Sequence, residues 1–157
     1  MAAETDRCRQ AEAQHRDPVR VDGLDVGGQR RLLEVQGLRA LLAAAGAEQG
    51  AAKSHHAGFV LGPRINAGGR IGRADLGARL LSTDDPAEAQ QLALELDALN
   101  LSRRDVERAV TDAAVRKVEA TGAHVDDTPV IVVAGEDWHP GVVGIVAGRL
   151  RERWRKP

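Results

Sequence analysis

The chain has 157 residues and a formal net charge of -1, with 43% hydrophobic and 29% charged residues. That length suits one ordinary domain, and the composition is globular rather than disordered or fibrous. The lone Cys8 excludes an internal disulfide and a zinc quartet, the polar start "MAAETDRCRQAEAQ" carries no apolar signal region, and no window reaches the roughly 18 apolar residues of a membrane span.

These features point to a cytoplasmic setting without a membrane partner. With so little net charge, any anionic partner must be held by local clusters. The only aromatics are Phe59, Trp138 and Trp154. Large rings supply much of a normal core's buried area, so a core of Ala, Leu and Val gains less per residue. We expect a marginal domain, or a piece that leans on another surface.

Residues 1 to about 22 show no clear period, are rich in charge and read as a loose arm with a short helical piece. "QRRLLEVQGLRALLAAAG" (Gln29 to Gly46) predicts a helix, because Leu32, Leu33, Val35, Leu38, Leu41 and Leu42 recur at steps of three and four. Gly46 is its C-terminal stop, and Gly37, costing about 1 kcal/mol against Ala, is where it would break. In "HHAGFVLG" a short helical turn leads on. The pair His55-His56 has no Cys, Asp or Glu at ligand spacing, so no metal role is assigned to it.

"GPRINAGGRIGRAD" (Gly62 to Asp75) is too glycine-rich to read as a stable helix and predicts a loop. Gly62, Gly68, Gly69 and Gly72 allow positive φ, so successive N–H groups can converge on an anion. Arg64, Arg70 and Arg73 add forked donors suited to phosphate. Asn66 can turn the backbone or bond a ligand. A structural connector, with arginines that cap helices or pair with acids, explains the same residues.

A short helix over about Ala74–Leu81, packed by Leu76, Leu80 and Leu81, follows. "STDDP" then starts a new helix, with Asp84 or Asp85 as cap and Pro86 in the first turn. It runs unbroken to Thr121, with Ala89, Leu92, Leu96, Leu99, Val106, Val110, Ala113 and Val118 on one stripe, a rod of about 50 Å. Asn100 and Arg103 interrupt the stripe midway and mark a bend or a functional contact. "PVIVVAG" (Pro129 to Gly135) predicts a buried strand. "WHPGVVGIVAGRL" then opens a helix at a position suited to anions. There His139 either bonds a phosphate or caps the helix, and Gly141, Gly144, Ala147 and Gly148 leave a bare face. The tail "RLRERWRKP" places Arg149, Arg151, Arg153, Arg155 and Lys156 against Glu152 alone, as a solvated helix end whose bases complement the dipole. No compact set of Asp and His is present for metal-assisted hydrolysis, and no Ser–His–acid or Cys–His arrangement either. No catalytic and no metal-binding residue is assigned.

Three stretches together resemble the RecJ family of single-stranded-DNA exonucleases in the DHH phosphoesterase superfamily. They are "FVLGPRINAGGRIGRADLGARLL", "LALELDALNLSRRDVERAV" and "VIVVAGEDWHPGVVGIVAGRLRERWRKP". The resemblance runs from about Gly37 or Phe59 to Pro157. It implies an α/β protein of which this piece is mostly α, with a long connector helix (about 86–121) and one strand–helix unit (about 130–154). It implies four parts: the arm 1–28, the C-terminal part of a catalytic lobe (29–85), the connector (86–122), and the start of a DHH-associated lobe (129–157).

It further implies 5′-to-3′ degradation of single-stranded DNA in recombination and repair, using Mn2+ or Mg2+ held elsewhere in the full-length family. The substrate-binding residues carried over are Arg64, Asn66, Arg70, His139, Gly141 and Arg149. "SHHAG" (Ser54 to Gly58) lacks the Asp of the family's Asp-His-His signature, and Asp25 in "GLDVGGQRR" is not assigned as a ligand. The chain therefore reads as the middle of such an enzyme, cut at both ends, holding no metal alone. The alternatives are a non-catalytic nucleic-acid-binding or structural remnant, or a small DHH-family nucleotide phosphoesterase.

Overall fold

A computed structural model describes residues 35–47, 54–124 and 129–157. Within them the chain is mostly helical, in the order α1 (Gln36–Ala44), α2 (Ser54–His56), a π-helical turn (Ala57–Leu61), α3 (Gly62–Ile71), α4 (Leu76–Ser82), α5 (Pro86–Thr121) and α6 (Pro140–Trp154). The expected arm 1–28 and the start of the first predicted helix, 29–34, lie outside the described residues. No described helix is long and apolar enough to cross a membrane.

The axis of the fold is α5, whose 36 residues span about 54 Å. Its ends follow from the sequence. The Asp85 carboxylate accepts from Ala87 N at 2.9 Å, Pro86 supplies the first turn, and Glu88 adds negative charge there. Gly122, at φ 70°, closes the other end in the left-handed conformation that glycine adopts at no steric cost.

Two apolar clusters form along this rod. In the first, Leu38, Leu41 and Leu42 of α1 and Leu76 and Leu80 of α4 meet Leu92, Ala93 and Leu96 of α5, with Leu61 beneath. Each fully buried leucine contributes about 1.5–3 kcal/mol. In the second, Val142, Val146 and Leu150 of α6 pack on Val110 and Ala114, flanked by Ile71, Trp138 and Trp154. The Arg153–Glu119 pair at 3.1 Å ties α6 to the far end of α5.

Four expectations are corrected. Helix α1 starts at Gln36, so Gly37 lies in its first turn rather than at a break. The glycine is buried because a Cβ there would stand 1.8 Å from the Leu80 carbonyl oxygen, where α1 crosses α4. Leu81 does not pack with Leu76 and Leu80; at 45% exposure it faces outward.

Third, Gly62–Ile71 is a helix, not a loop, and among the described residues only Gly46 and Gly122 are glycines with positive φ. Each mid-helix glycine costs about 1 kcal/mol, but at Gly68 and at the C-cap Gly72 the absence of a Cβ lets leucines of α5 pack closely. A Cβ on Gly68 would meet Leu96 Cδ2 at 3.1 Å, and one on Gly72 would meet Leu99 Cδ1 at 2.7 Å. Packing on α5 overrides propensity.

Fourth, residues 129–135 form no strand. They run extended, with Ile131, Val133 and Gly135 half-buried and Val132 88% exposed between them. This alternation is that of a strand, but no neighbouring strand is described to complete a ladder. Ile131 N donates instead to Pro157 O at 2.8 Å, and Lys117 Nζ to Ala134 O at 2.7 Å.

Candidate functional site

The three arginines of the glycine-rich motif have separate fates. Arg64 turns inward along α3: its Nε donates to Asp97 Oδ1 at 2.8 Å and its Nη1 to Val60 O at 2.9 Å. Its side chain is 16% exposed, so it joins α3 to α5. Arg73 is held by Asp75 through two bonds, Nε to Oδ1 at 3.1 Å and Nη2 to Oδ2 at 2.6 Å. That bidentate pairing holds the Asp75 carboxyl below the usual carboxylate range and raises the guanidinium pKa.

Arg70 alone has no acid, and its Nη1 reaches across 71 residues to donate to Gly141 O at 3.0 Å. Asn66 is exposed on the same helix. The anion concavity expected from positive-φ glycines does not form: Gly62, Gly68 and Gly69 are helical, and Gly72 caps the helix at φ -132°.

Arg70 meets the start of α6. A Cβ on Gly141 would lie 2.0 Å from the Arg70 carbonyl oxygen, so only glycine fits where the end of α3 touches α6. This contact joins the glycine-arginine motif and the "WHPGV" motif into one surface. His139 is the N-cap: its Nδ1 accepts from Gly141 N at 3.1 Å. Capping therefore accounts for the near ring nitrogen. A neutral ring that accepts through Nδ1 carries its proton on Nε2, and His139 is exposed. Arg70, the His139 ring and the first turn of α6, which contains no acid, make a group of donors on the positive end of a helix dipole.

Arg149 stands apart, two turns further along α6. It pairs with Glu107 of α5, a carboxylate only 3% exposed, which is also held by Arg103. Arg103 Nη2 donates in turn to Asn100 Oδ1 at 3.2 Å, and Asn100 is 3% exposed. Asn100 and Arg103, read as an interruption of the stripe, are thus tied to each other and to Glu107. They form a buried polar girdle between the two apolar clusters. Glu107 was not singled out in the sequence. The available signal was its place in Asn100-Arg103-Glu107, three polar residues at steps of three and four on a face otherwise apolar. Asp97 was missed as well, because its partner lies 33 residues away.

Six predicted site residues therefore fall into four places. Arg70, His139 and Gly141 come together; Arg64 and Arg149 are each ion-paired elsewhere; Asn66 faces solvent. Among the described residues, no group of three or more His, Cys, Asp or Glu could hold a metal ion. The His55 and His56 rings lie 4.1 Å apart.

No protein-family model matches the chain. RecJ of Bacillus subtilis, a single-stranded-DNA-specific exonuclease, is 44% identical over 121 residues, 77% of this chain and 15% of that protein. The crystal structure of Thermus thermophilus RecJ with Mg2+ matches at a TM-score of 0.67 and 36% identity, over 83% of this chain and 20% of that one. A manganese-bound exonuclease RecJ matches at a TM-score of 0.70 and 37% identity, over 82% of this chain and 32% of that one. The chain thus spans a third or less of the length of these relatives. By sequence and by fold, the chain belongs to the RecJ family as a segment of it.

Proposed function

We propose that this chain is the substrate-gripping middle of a RecJ-type 5′-to-3′ single-stranded-DNA exonuclease of the cytoplasm, acting in recombination and repair. In this assignment α1 to α4 end a catalytic lobe (29–85), α5 is the connector (86–122) and residues 129–157 begin a DHH-associated lobe. The metals, Mn2+ or Mg2+ as in the crystal structures of relatives, belong to residues outside the described set, and no hydrolytic step is assigned to these side chains.

The observation that carries the proposal is the Arg70–Gly141 junction. Arg70 spends one N–H on the Gly141 carbonyl, which fixes its guanidinium and leaves the rest of its fork for a phosphate. His139 Nε2–H adds a neutral donor. Phosphate contacts of this kind position a strand without reading its bases. Arg64 and Arg149 act in support, by holding α3 and α6 against α5; Asn66 is an exposed amide within reach of solvent and strand.

The test is a chimera. The matched residues of Bacillus subtilis RecJ are replaced by those of this chain, and Mn2+-dependent release of nucleotides from 5′-phosphorylated single strands is measured. The expected result is retained exonuclease activity that falls at least tenfold on Arg70→Ala. A folded chimera without activity, or one indifferent to Arg70→Ala, would overturn the assignment.

A further inference from the structure

Polar side chains fasten helix α6 at three places. At its first turn, Arg70 Nη1 donates to Gly141 O at 3.0 Å. At its middle, Arg149 pairs with the buried Glu107 of α5. Near its end, Arg153 pairs with Glu119 at 3.1 Å, but both side chains are about half exposed, and such a pair holds little in water. The rest of the contact is Val142, Val146 and Leu150 on Val110 and Ala114. Apolar attraction has no direction. A Cβ on Gly144 or Gly148 would meet nothing within 4 Å, so neither glycine keys α6 in place.

We infer that Glu107 is a positioning residue of the proposed nuclease. Its carboxylate sets the direction of α6 on α5, and with it the orientation of the His139 cap against Arg70. The inference rests on the function proposed above. Glu107 is 3% exposed and is shared by arginines of two helices, Arg103 of its own and Arg149 of α6. It is the one acid lining the adjacent cleft, a cavity of about 420 Å³ completed by Arg103, Arg104, Arg108, Ile145 and Arg149.

The sign of the force on α6 therefore depends on this one charge. With it, both guanidiniums are drawn to a common point. Without it, Arg103 and Arg149 face each other as like charges and repel. Arg103 is tied separately to the buried Asn100, through Nη2 to Oδ1 at 3.2 Å, so Arg149 and its helix are the side that yields. The cleft leaves room for that movement. With its first turn held by Arg70, α6 swings about Gly141, and the His139 ring turns with it.

The experiment has two arms. In the chain itself, nitroxide labels at the exposed positions Glu95→Cys of α5 and Glu152→Cys of α6, in a Cys8→Ser background, report the direction of α6 by pulsed electron paramagnetic resonance. Glu107→Gln keeps the side chain's size and removes its charge. Arg149→Met breaks the same brace from α6 and leaves the Arg103–Glu107 pair intact, so it serves even if Glu107→Gln unfolds. Both are expected to broaden the distance distribution with circular dichroism unchanged. In the chimera described above, both should raise KM for single-stranded DNA about tenfold and leave kcat within about twofold, since the grip loosens while the metals stay in place. The double variant should be no worse than the worse single one, because the two residues act as a unit. Parent-like distances in both variants overturn the inference. So does an unchanged KM, a loss confined to kcat, or losses that multiply in the double variant. An inactive parent chimera with broadened distances in the chain would sink the family function and keep the brace. An active chimera with parent-like distances would do the reverse.

Discussion

Replacing Gly141 by alanine probes the junction on which the site depends. The new Cβ would stand 2.0 Å from the Arg70 carbonyl oxygen and 2.8 Å from its carbon, whereas ordinary contact begins at 3.4 Å. The first turn of α6 and the end of α3 must then part by about 1.4 Å. Both sides of the contact are backbone, so no rotamer change relieves it. Val142, fully buried beside it, moves too, and the Arg70–Gly141 hydrogen bond is lost.

Overpacking of this kind costs about 1–3 kcal/mol, and the hydrogen bond about 1 kcal/mol more. A loss of about 3 kcal/mol would lower Tm by about 6–12 °C in a chain of this size. Gly144, one turn on, has nothing within 4 Å of its virtual Cβ; there alanine should stabilise by up to about 1 kcal/mol through helix propensity. Thermal melts followed by circular dichroism compare the two. Equal stability of Gly141→Ala and the wild type, or equal losses at both positions, would refute the close-approach reasoning.

Glu107→Ala leaves Arg103, whose side chain is 13% exposed, with an uncompensated charge between the two clusters. Urea denaturation should show a loss of about 3 kcal/mol, and a loss under 1 kcal/mol would mean that the girdle is solvated. Glu88 accepts from the Thr83 hydroxyl and from Arg79, both at 2.6 Å, and these bonds, the hydroxyl first, hold its pKa below the usual value. Its contribution to stability is therefore present above the unfolded pKa and fades as pH falls through the lower folded one. Thr83→Ala should move the Glu88 carboxyl titration upward, as read by NMR, and an unchanged titration would remove the hydroxyl from the account.

The long helix was legible because its signals are local. Asp85-Pro86 starts it, an apolar stripe sustains it and Gly122 ends it, all within one continuous stretch. Helix α3 was not, because the close packing of Gly68 and of Gly72 at its C-cap is set by Leu96 and Leu99, which arrive from another element. Propensity counts each glycine as a loss; packing decides the sign. Leu81 failed for a related reason. In a seven-residue helix the apolar face is set by which neighbour arrives, and α1 and α5 covered Leu76 and Leu80 instead. The strand at 129–135 kept its alternation but not its ladder, since alternation is written in the chain and a ladder belongs to a neighbour.

For the site, the decisive information was which charges are already used. Arg64, Arg70 and Arg73 are equivalent candidates in the sequence. Asp97 claims the first from 33 residues away and Asp75 claims the third from two, which leaves Arg70. The same logic separates His139 into a nitrogen that caps and a nitrogen that faces outward. It also separates Arg149, anchored by Glu107, from Arg104, which has no acid among the described residues. Where every arginine is counted, the chain is nearly neutral and gives no hint of an anionic partner. Among the described arginines without an acid, Arg70 is the one at the α3–α6 junction; Arg39, Arg104, Arg116, Arg151 and Arg155 are spread over exposed positions of α1, α5 and the C-terminal end. A DNA strand held at that junction, as proposed, would respond to any change in how α6 sits on α3, so Gly141→Ala tests stability and strand binding together.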